Sequence, residues 1–397
     1  MKLNIIKLFT ANSLLYSIVL FFAIWDTLQF DKPSIPLSMT IYYSSLFVLF
    51  CKKWDCLTKH LGNTNNLIEI ILLGVVLLII NYQNAPRVWT FFRVFLVALV
   101  LEQALERDLK LSKILFLLFV ILNCFIMLYE RKTMTVIFWN SEEYALSRND
   151  ISDLTMFRSS GLTGHPVLSG FLLSIELAFI QMSKIKQSYK YILTVLLFFA
   201  LLCVNSRTNI AISALISIYL FKDAILNKKN RFIKIAIIVV LFYFFYDLII
   251  NTDFGGRLLN HEFGSNDSST MARFEVFSFL NYIDWKLLIW GDFEAVGFLM
   301  TVMGLDGIEN GYIVLLLSYG LLLGSILIIA LTIYQWKALA VYPKDQRIIL
   351  FLMFILIAFT NPHIGHNIPW IFWVVSYYLF RPSIKNITHD YKNIKTN

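Results

Sequence analysis

Twelve separate stretches of this chain are each long and apolar enough to cross a lipid bilayer, which leaves little sequence for any other kind of fold. They lie near 8–28, 34–51, 66–83, 88–105, 112–130, 166–183, 191–205, 208–222, 232–251, 310–334, 347–361 and 366–381. A spanning helix needs about 20 mostly apolar residues. Peptide groups in hydrocarbon must be satisfied internally, so helices and closed barrels are the available solutions. The runs here are continuous rather than alternating, which argues against barrel strands. Composition agrees. Of the 397 residues 58% are hydrophobic and only 15% charged, against about a quarter charged in soluble domains. The expected fold class is an all-α polytopic membrane protein, with residues 1–397 forming one integral membrane domain. Lys2 and Lys7 precede the first apolar run and no small-residue cleavage site follows, so that run reads as an uncleaved first span.

The basic residues sort by kind across these spans. With the N-terminus inside, the inner loops receive 23 of the 34 Lys and Arg and the outer loops 11. That bias predicts that both termini are cytoplasmic. The inner set is nearly all lysine. The outer set is mostly arginine: Arg87, Arg93, Arg131, Arg148, Arg158, Arg207, Arg257 and Arg273. Insertion does not call for arginine on the outer face, so these residues need another explanation. The net charge of +8 is spread over short loops and suits anionic lipid headgroups better than nucleic acid.

Two outer loops are long, about 131–165 and 252–309. Loops beyond ~12–15 residues are uncommon unless they are functional or disordered, and the aromatic and apolar content of these two argues for order. In the second, Ser268-Ser269-Thr270 precedes an apolar-rich run. This pattern predicts a capped surface helix near 270–289.

Arginine carries a planar fork of donors matched to phosphate oxygens, and it keeps its charge. Arg158 stands in Met156-Phe157-Arg158-Ser159-Ser160-Gly161-Leu162-Thr163-Gly164-His165-Pro166, just before a span. Arg207 stands in Asn205-Ser206-Arg207-Thr208-Asn209, between two spans with almost no loop; Arg257 follows Gly255-Gly256; Arg273 lies on the expected surface helix. The plainer alternative is headgroup contact or pairing with acids such as Asp153 or Glu275. It is least attractive for Arg207, because a charge squeezed between spans is costly and usually has a role.

Glu309 opens the tenth span in Glu309-Asn310-Gly311-Tyr312. It is a candidate general base, or a helix-start acid favoured by the macrodipole. His165, and His363 with His366 in the last outer loop, are candidate acid–base groups or ordinary polar caps. Glu69, Glu102, Glu176, Asp26 and Asp247 fall in or near span ends and are the residues that a transporter reading would use. Cys51, Cys56, Cys124 and Cys203 have no zinc-ligand spacing and imply no disulfide framework. The sequence has no phosphate-binding loop, dinucleotide fingerprint or nucleophile elbow.

Four of these segments together resemble the O-antigen and capsule polymerase/ligase superfamily, the Wzy-type polymerases and O-antigen ligases. Arg158 to Pro166 is similar to the family's outer Arg-x-x-Gly element. Ser206-Arg207-Thr208 resembles its Ser-Arg turn between spans. Arg273 through Gly291 resembles its Arg-led surface helix. Glu309-Asn310-Gly311-Tyr312 with Ser318-Tyr319-Gly320-Leu321 resembles its (His or Glu)-Asn-x-Tyr…Tyr-Gly-Leu pattern. The segments run in family order over about half the chain. There are two departures: Gly291-Asp292-Phe293 replaces the usual Gly-x-Gly, and Glu309 stands where ligases carry histidine, which points toward polymerase.

The resemblance implies a GT-C-like fold in the bacterial inner (plasma) membrane. It also implies metal-independent, cofactor-free glycosyl transfer on the outer face. The donor would be a glycan on undecaprenyl diphosphate and the acceptor a lipid-linked oligosaccharide repeat unit. A chain-length regulator and membrane lipids would be the other partners. Arg158, Arg207, Arg273 and Arg257 would hold the diphosphate. Glu309 would serve as base with His165 as its rival. Trp139, Trp285 and Trp290 would stack on sugars or sit in the interfacial belt. The alternatives are an O-antigen ligase, which has a different acceptor, and a lipid-linked oligosaccharide flippase, which performs no chemistry. A flippase should carry its charges inside the spans and have short outer loops.

Overall fold

The structure, a computed structural model, describes residues 10–25, 36–61, 67–83, 88–138, 157–226, 283–292, 310–360 and 368–382, with isolated positions between 232 and 247 and between 294 and 301. Among the described residues all regular structure is helical. The helices are α1 Ala11–Trp25, α2 Pro36–Leu61, α3 Leu67–Gln83, α4 Val88–Glu102, α5 Lys110–Thr133, α6 Pro166–Met182, α7 Gln187–Val204, α8 Arg207–Leu226, α9 Trp285–Trp290, α10 Gly311–Ala338, α11 Lys344–Thr360 and α12 Ile368–Phe380. Eleven of the twelve expected spans coincide with one of these helices; the ninth, 232–251, is described only at isolated positions. By length and composition, Lys110–Thr133, Gln187–Val204 and the stretch Gly311–Val341 are long and apolar enough to cross a membrane, and several shorter helices are equally apolar.

The chain divides into two compact units. One comprises Met1–Ile24, Pro36–Ser112 and Glu262–Asn397; the other comprises Trp25–Ile35 and Lys113–His261.

In the first unit α10 packs on α3, α9 and α11, while α4 packs on α3 and α12. Apolar side chains such as Val76, Val97 and Leu327 fill the spaces between them. Two polar contacts stand out in this core. The Trp373 indole donates to Gln335 Oε1 at 2.7 Å, and the Tyr377 hydroxyl donates to the Ala338 carbonyl at 2.5 Å. Phe354 packs edge-on against both Trp370 and Trp373. An apolar cleft lined by Leu72, Val76, Val94, Phe95, Leu327 and Trp370 lies between α3, α4, α10 and α12.

The tenth expected span, 310–334, is two helical pieces. Gly320 interrupts α10 with φ 80° and ψ 163°, a region open essentially to glycine. The bend is sharp, since a Cβ on Gly324 would lie 2.9 Å from the Leu315 carbonyl oxygen. At 1.5 Å per residue the first piece, Gly311 to Tyr319, is only about 13 Å long, too short to cross a bilayer alone. Its start is capped by the Asn310 side chain, which accepts from the N–H groups of Tyr312 (3.1 Å) and Ile313 (3.2 Å).

In the second unit α6 is the central helix. It is buried at every position but Val167, including the polar Ser169, Ser174, Glu176 and Gln181. It packs on α7 and α8. The contact with α8 is made by small and polar residues. Ser174 Oγ lies 2.9 Å from Ser213 Oγ, and Gly170 lies against the Asn209 side chain. Close approach through small residues is how apolar helices associate where burial in lipid adds no hydrophobic drive.

Candidate functional site

The segment Phe157 to His165 is where the second unit concentrates its polar contacts, and α5 supplies the grip. Asn123, Met127, Glu130 and Arg131 follow helical spacing, so they share one face of α5. All four are buried. Asn123 Oδ1 accepts from the Leu162 N–H at 2.9 Å. The Met127 carbonyl accepts from Ser159 Oγ at 2.9 Å. Glu130 Oε2 accepts from the N–H groups of both Ser160 and Gly161 at 2.8 Å, and its Oε1 accepts from Ile137 N–H at 3.0 Å. Arg131 Nη1 donates to the Phe157 carbonyl at 2.5 Å.

α5 runs to Thr133, a few residues past the expected span end near 130, and Arg131 is fully buried against the returning chain. Its cost there is offset by the carbonyl it binds, because a buried charge persists only with partners.

Ser160 has right-handed φ/ψ (−105°, −27°) and Gly161 left-handed φ (+56°). Successive residues of that kind turn their N–H groups into one concavity, an anion nest. Here the nest is already filled by the Glu130 carboxyl. The segment's one arginine is Arg158.

Arg158 is half-buried. Its Nε donates to the Val204 carbonyl at 3.3 Å, and the N–H of the next residue, Ser159, donates to the Cys203 carbonyl at 3.0 Å. Both acceptors belong to the last turn of α7, where carbonyls lack helical partners and the dipole is negative. Asn205 ends α7 in the left-handed region (φ 53°, ψ 44°), a common helix stop. Ser206 follows, and Arg207 is the first residue of α8. The Asn209 amide donates to Ser206 Oγ at 2.9 Å and ties the turn to the helix it starts. The Arg158 segment is thus hydrogen-bonded to the last turn of α7, which leads directly into the Ser206-Arg207 turn.

His165 lies on the same segment at the N-cap of α6, ahead of Pro166 at the first helical position. Its backbone makes the helix entry: the carbonyl accepts from Ser169 N–H at 3.0 Å and from Thr163 Oγ1 at 3.2 Å. Arg257, Arg273 and Glu309 lie outside the described residues, as do Trp139, His363 and His366. Of the expected surface helix near 270–289, the described part is the start of α9, Trp285–Trp290. Trp285 and Trp290 there are exposed.

In the first unit a second pair of segments meets. Gly291, just after α9, packs backbone to backbone on Gly320 at the break in α10, and the Asp292 N–H donates to the Leu317 carbonyl at 3.3 Å. That bond satisfies one of the carbonyls that the break frees. Among the described residues, then, the Arg158 segment is bonded to the last turn of α7, just ahead of Ser206-Arg207, and Gly291-Asp292 is packed on the Leu317–Gly320 stretch of α10.

Glu130 and Asn123 were not singled out from sequence. The available signal was polarity at helical spacing in the apolar run of α5, where an amide and a carboxyl inside hydrocarbon ask for a role. Among the described residues no three His, Cys, Asp or Glu side chains gather as metal ligands. The chain matches no protein-family model, no curated protein and no solved structure.

Proposed function

We propose that this chain is a polysaccharide polymerase of the bacterial inner membrane, transferring a glycan from undecaprenyl diphosphate to a lipid-linked oligosaccharide repeat unit on the outer face. In this reading it crosses the membrane about 12 times in a GT-C-like arrangement, with both termini cytoplasmic. The observation that carries it is the pair of hydrogen bonds from the Arg158 segment to the Cys203 and Val204 carbonyls, which brings Arg158 to the end of α7 three residues before Arg207 in the chain. A doubly charged ligand calls for more than one guanidinium near one place, and Arg158 and Arg207 are the two arginines closest in the chain to that junction.

The chemistry follows from charge. The bond from the donor's anomeric carbon to the diphosphate oxygen breaks as the acceptor hydroxyl oxygen bonds to that carbon. Positive charge develops on the sugar ring and negative charge on the departing diphosphate. Guanidinium groups fixed in advance stabilise the leaving group without reorganising. Arg158, Arg207, Arg257 and Arg273 are the guanidinium groups this reading assigns to the diphosphate. The acceptor's proton passes to Glu309, or to His165. The polyprenyl tail lies among the helices, and the apolar cleft bounded by Leu72, Phe95 and Trp370 is a surface of suitable chemistry.

Deletion of the gene followed by gel analysis of surface glycan tests this reading. A polymerase leaves a single repeat unit in place of the ladder. Complete loss of capped product would instead mark a ligase or a flippase, and an unchanged ladder would end the proposal.

A further inference from the structure

We propose that Glu130 and Asn123 are positioning residues that set the Arg158 guanidinium for diphosphate binding; this rests on the arginine-clamp reading above. Neither side chain has a route to the ligand, since both are fully buried in α5. Between them they accept three consecutive backbone N–H groups, those of Ser160, Gly161 and Leu162. The Cα of Arg158 is two residues upstream of the first of these. On its other side, Ser159 N–H and Arg158 Nε are tied to the Cys203 and Val204 carbonyls. Arg158 is thus suspended between α5 and the end of α7. Arg131 and Met127 of α5 also bond the residues on either side of Arg158, so Glu130 and Asn123 hold the downstream part of the same anchor.

The fit leaves no slack on the α5 side. Gly161 faces α5 so closely that a Cβ there would lie 2.5 Å from Asn123 Oδ1 and 2.7 Å from the Met127 methyl carbon. The acceptor chemistry is specific as well. Glu130 uses one oxygen for two N–H groups and the other for Ile137. An amide has one acceptor oxygen, and its NH2 would confront an N–H donor. Glu130→Gln therefore changes the loop with almost no change of volume.

The test uses purified full-length protein in nanodiscs with an undecaprenyl-diphosphate-linked repeat unit, measuring kcat and KM alongside thermal unfolding. Displacing a binding group by about 1 Å costs on the order of 100-fold in rate. Folded Glu130→Gln should lose about that much in kcat, and Asn123→Ala, which removes one acceptor, roughly 10-fold. Arg158→Lys supplies the discriminating background. Residues acting through one group are not additive, so Glu130→Gln or Asn123→Ala added to Arg158→Lys should cause no further loss. Wild-type kcat in folded Glu130→Gln, or losses that multiply in the Arg158→Lys background, would overturn the proposal. If Glu130→Gln does not fold, Asn123→Ala decides by the same two criteria. Full activity of Arg158→Lys itself would instead defeat the clamp reading, which keeps the two failures apart.

Discussion

Gly291 and Gly320 touch through their backbones. A Cβ on Gly291 would fall 2.5 Å from the Tyr319 carbonyl carbon and 2.8 Å from the Ser318 oxygen, and a Cβ on Gly320 would fall 2.5 Å from the Trp290 carbonyl carbon. Gly320 also holds φ 80° with ψ 163°. Each residue is glycine for two reasons at once, conformation and space. Their contact is what seats the end of α9 on the broken helix.

Gly320→Ala should therefore destabilise the first unit. Backbone strain of this kind costs about 1–3 kcal/mol, and the collision with the Ile289–Gly291 backbone adds to it. Thermal unfolding of the detergent-solubilised protein should show a lowered midpoint. Gly297→Ala, where a Cβ meets nothing within 4 Å, is the matched control and should leave the midpoint unchanged.

Asn310 starts the short first piece of α10 by accepting from two orphan N–H groups. Asn310→Ala should cost ~1 kcal/mol, the usual worth of a cap, whereas Asn310→Asp should cost little because aspartate caps equally well. Parallel melts of the two variants check this; equal midpoints for alanine and aspartate would show that the cap contributes nothing.

The Trp373–Gln335 hydrogen bond is buried in the first unit. Trp373→Phe keeps an aromatic ring but removes the indole donor, leaving the Gln335 oxygen without that bond. An unsatisfied buried acceptor costs about 1–3 kcal/mol. Adding Gln335→Leu, which deletes the stranded amide, should recover part of the loss in a double-mutant melt.

Much of the helix layout was readable from hydropathy alone. Long apolar runs favour helices, and eleven of the expected stretches coincide with described helices. The near-absence of a loop before Arg207 correctly signalled a tight helix-to-helix turn. What hydropathy could not show was backbone conformation and pairing. Tyr319-Gly320-Leu321 sits inside an apolar run, and polarity does not reveal that Gly320 breaks the helix. Arg131 reads as a loop residue because charge ends a span; the returning Phe157 carbonyl, distant in sequence, is a partner that no local pattern reveals. Glu130 fell at the same boundary for the same reason. The bonding of the Arg158 segment to the last turn of α7 joins positions far apart in sequence, and no local pattern encodes it.

Arg207→Lys is the most direct test of the arginine clamp. Lysine keeps the charge but lacks the planar fork that grips two phosphate oxygens, and the first position of α8 tolerates either residue. Polymerisation of a purified lipid-linked repeat unit by the reconstituted protein should fall by at least about 10-fold, the worth of ~1.4 kcal/mol of transition-state stabilisation, with the protein still folded and inserted. Wild-type polymerisation by folded Arg207→Lys would contradict the account.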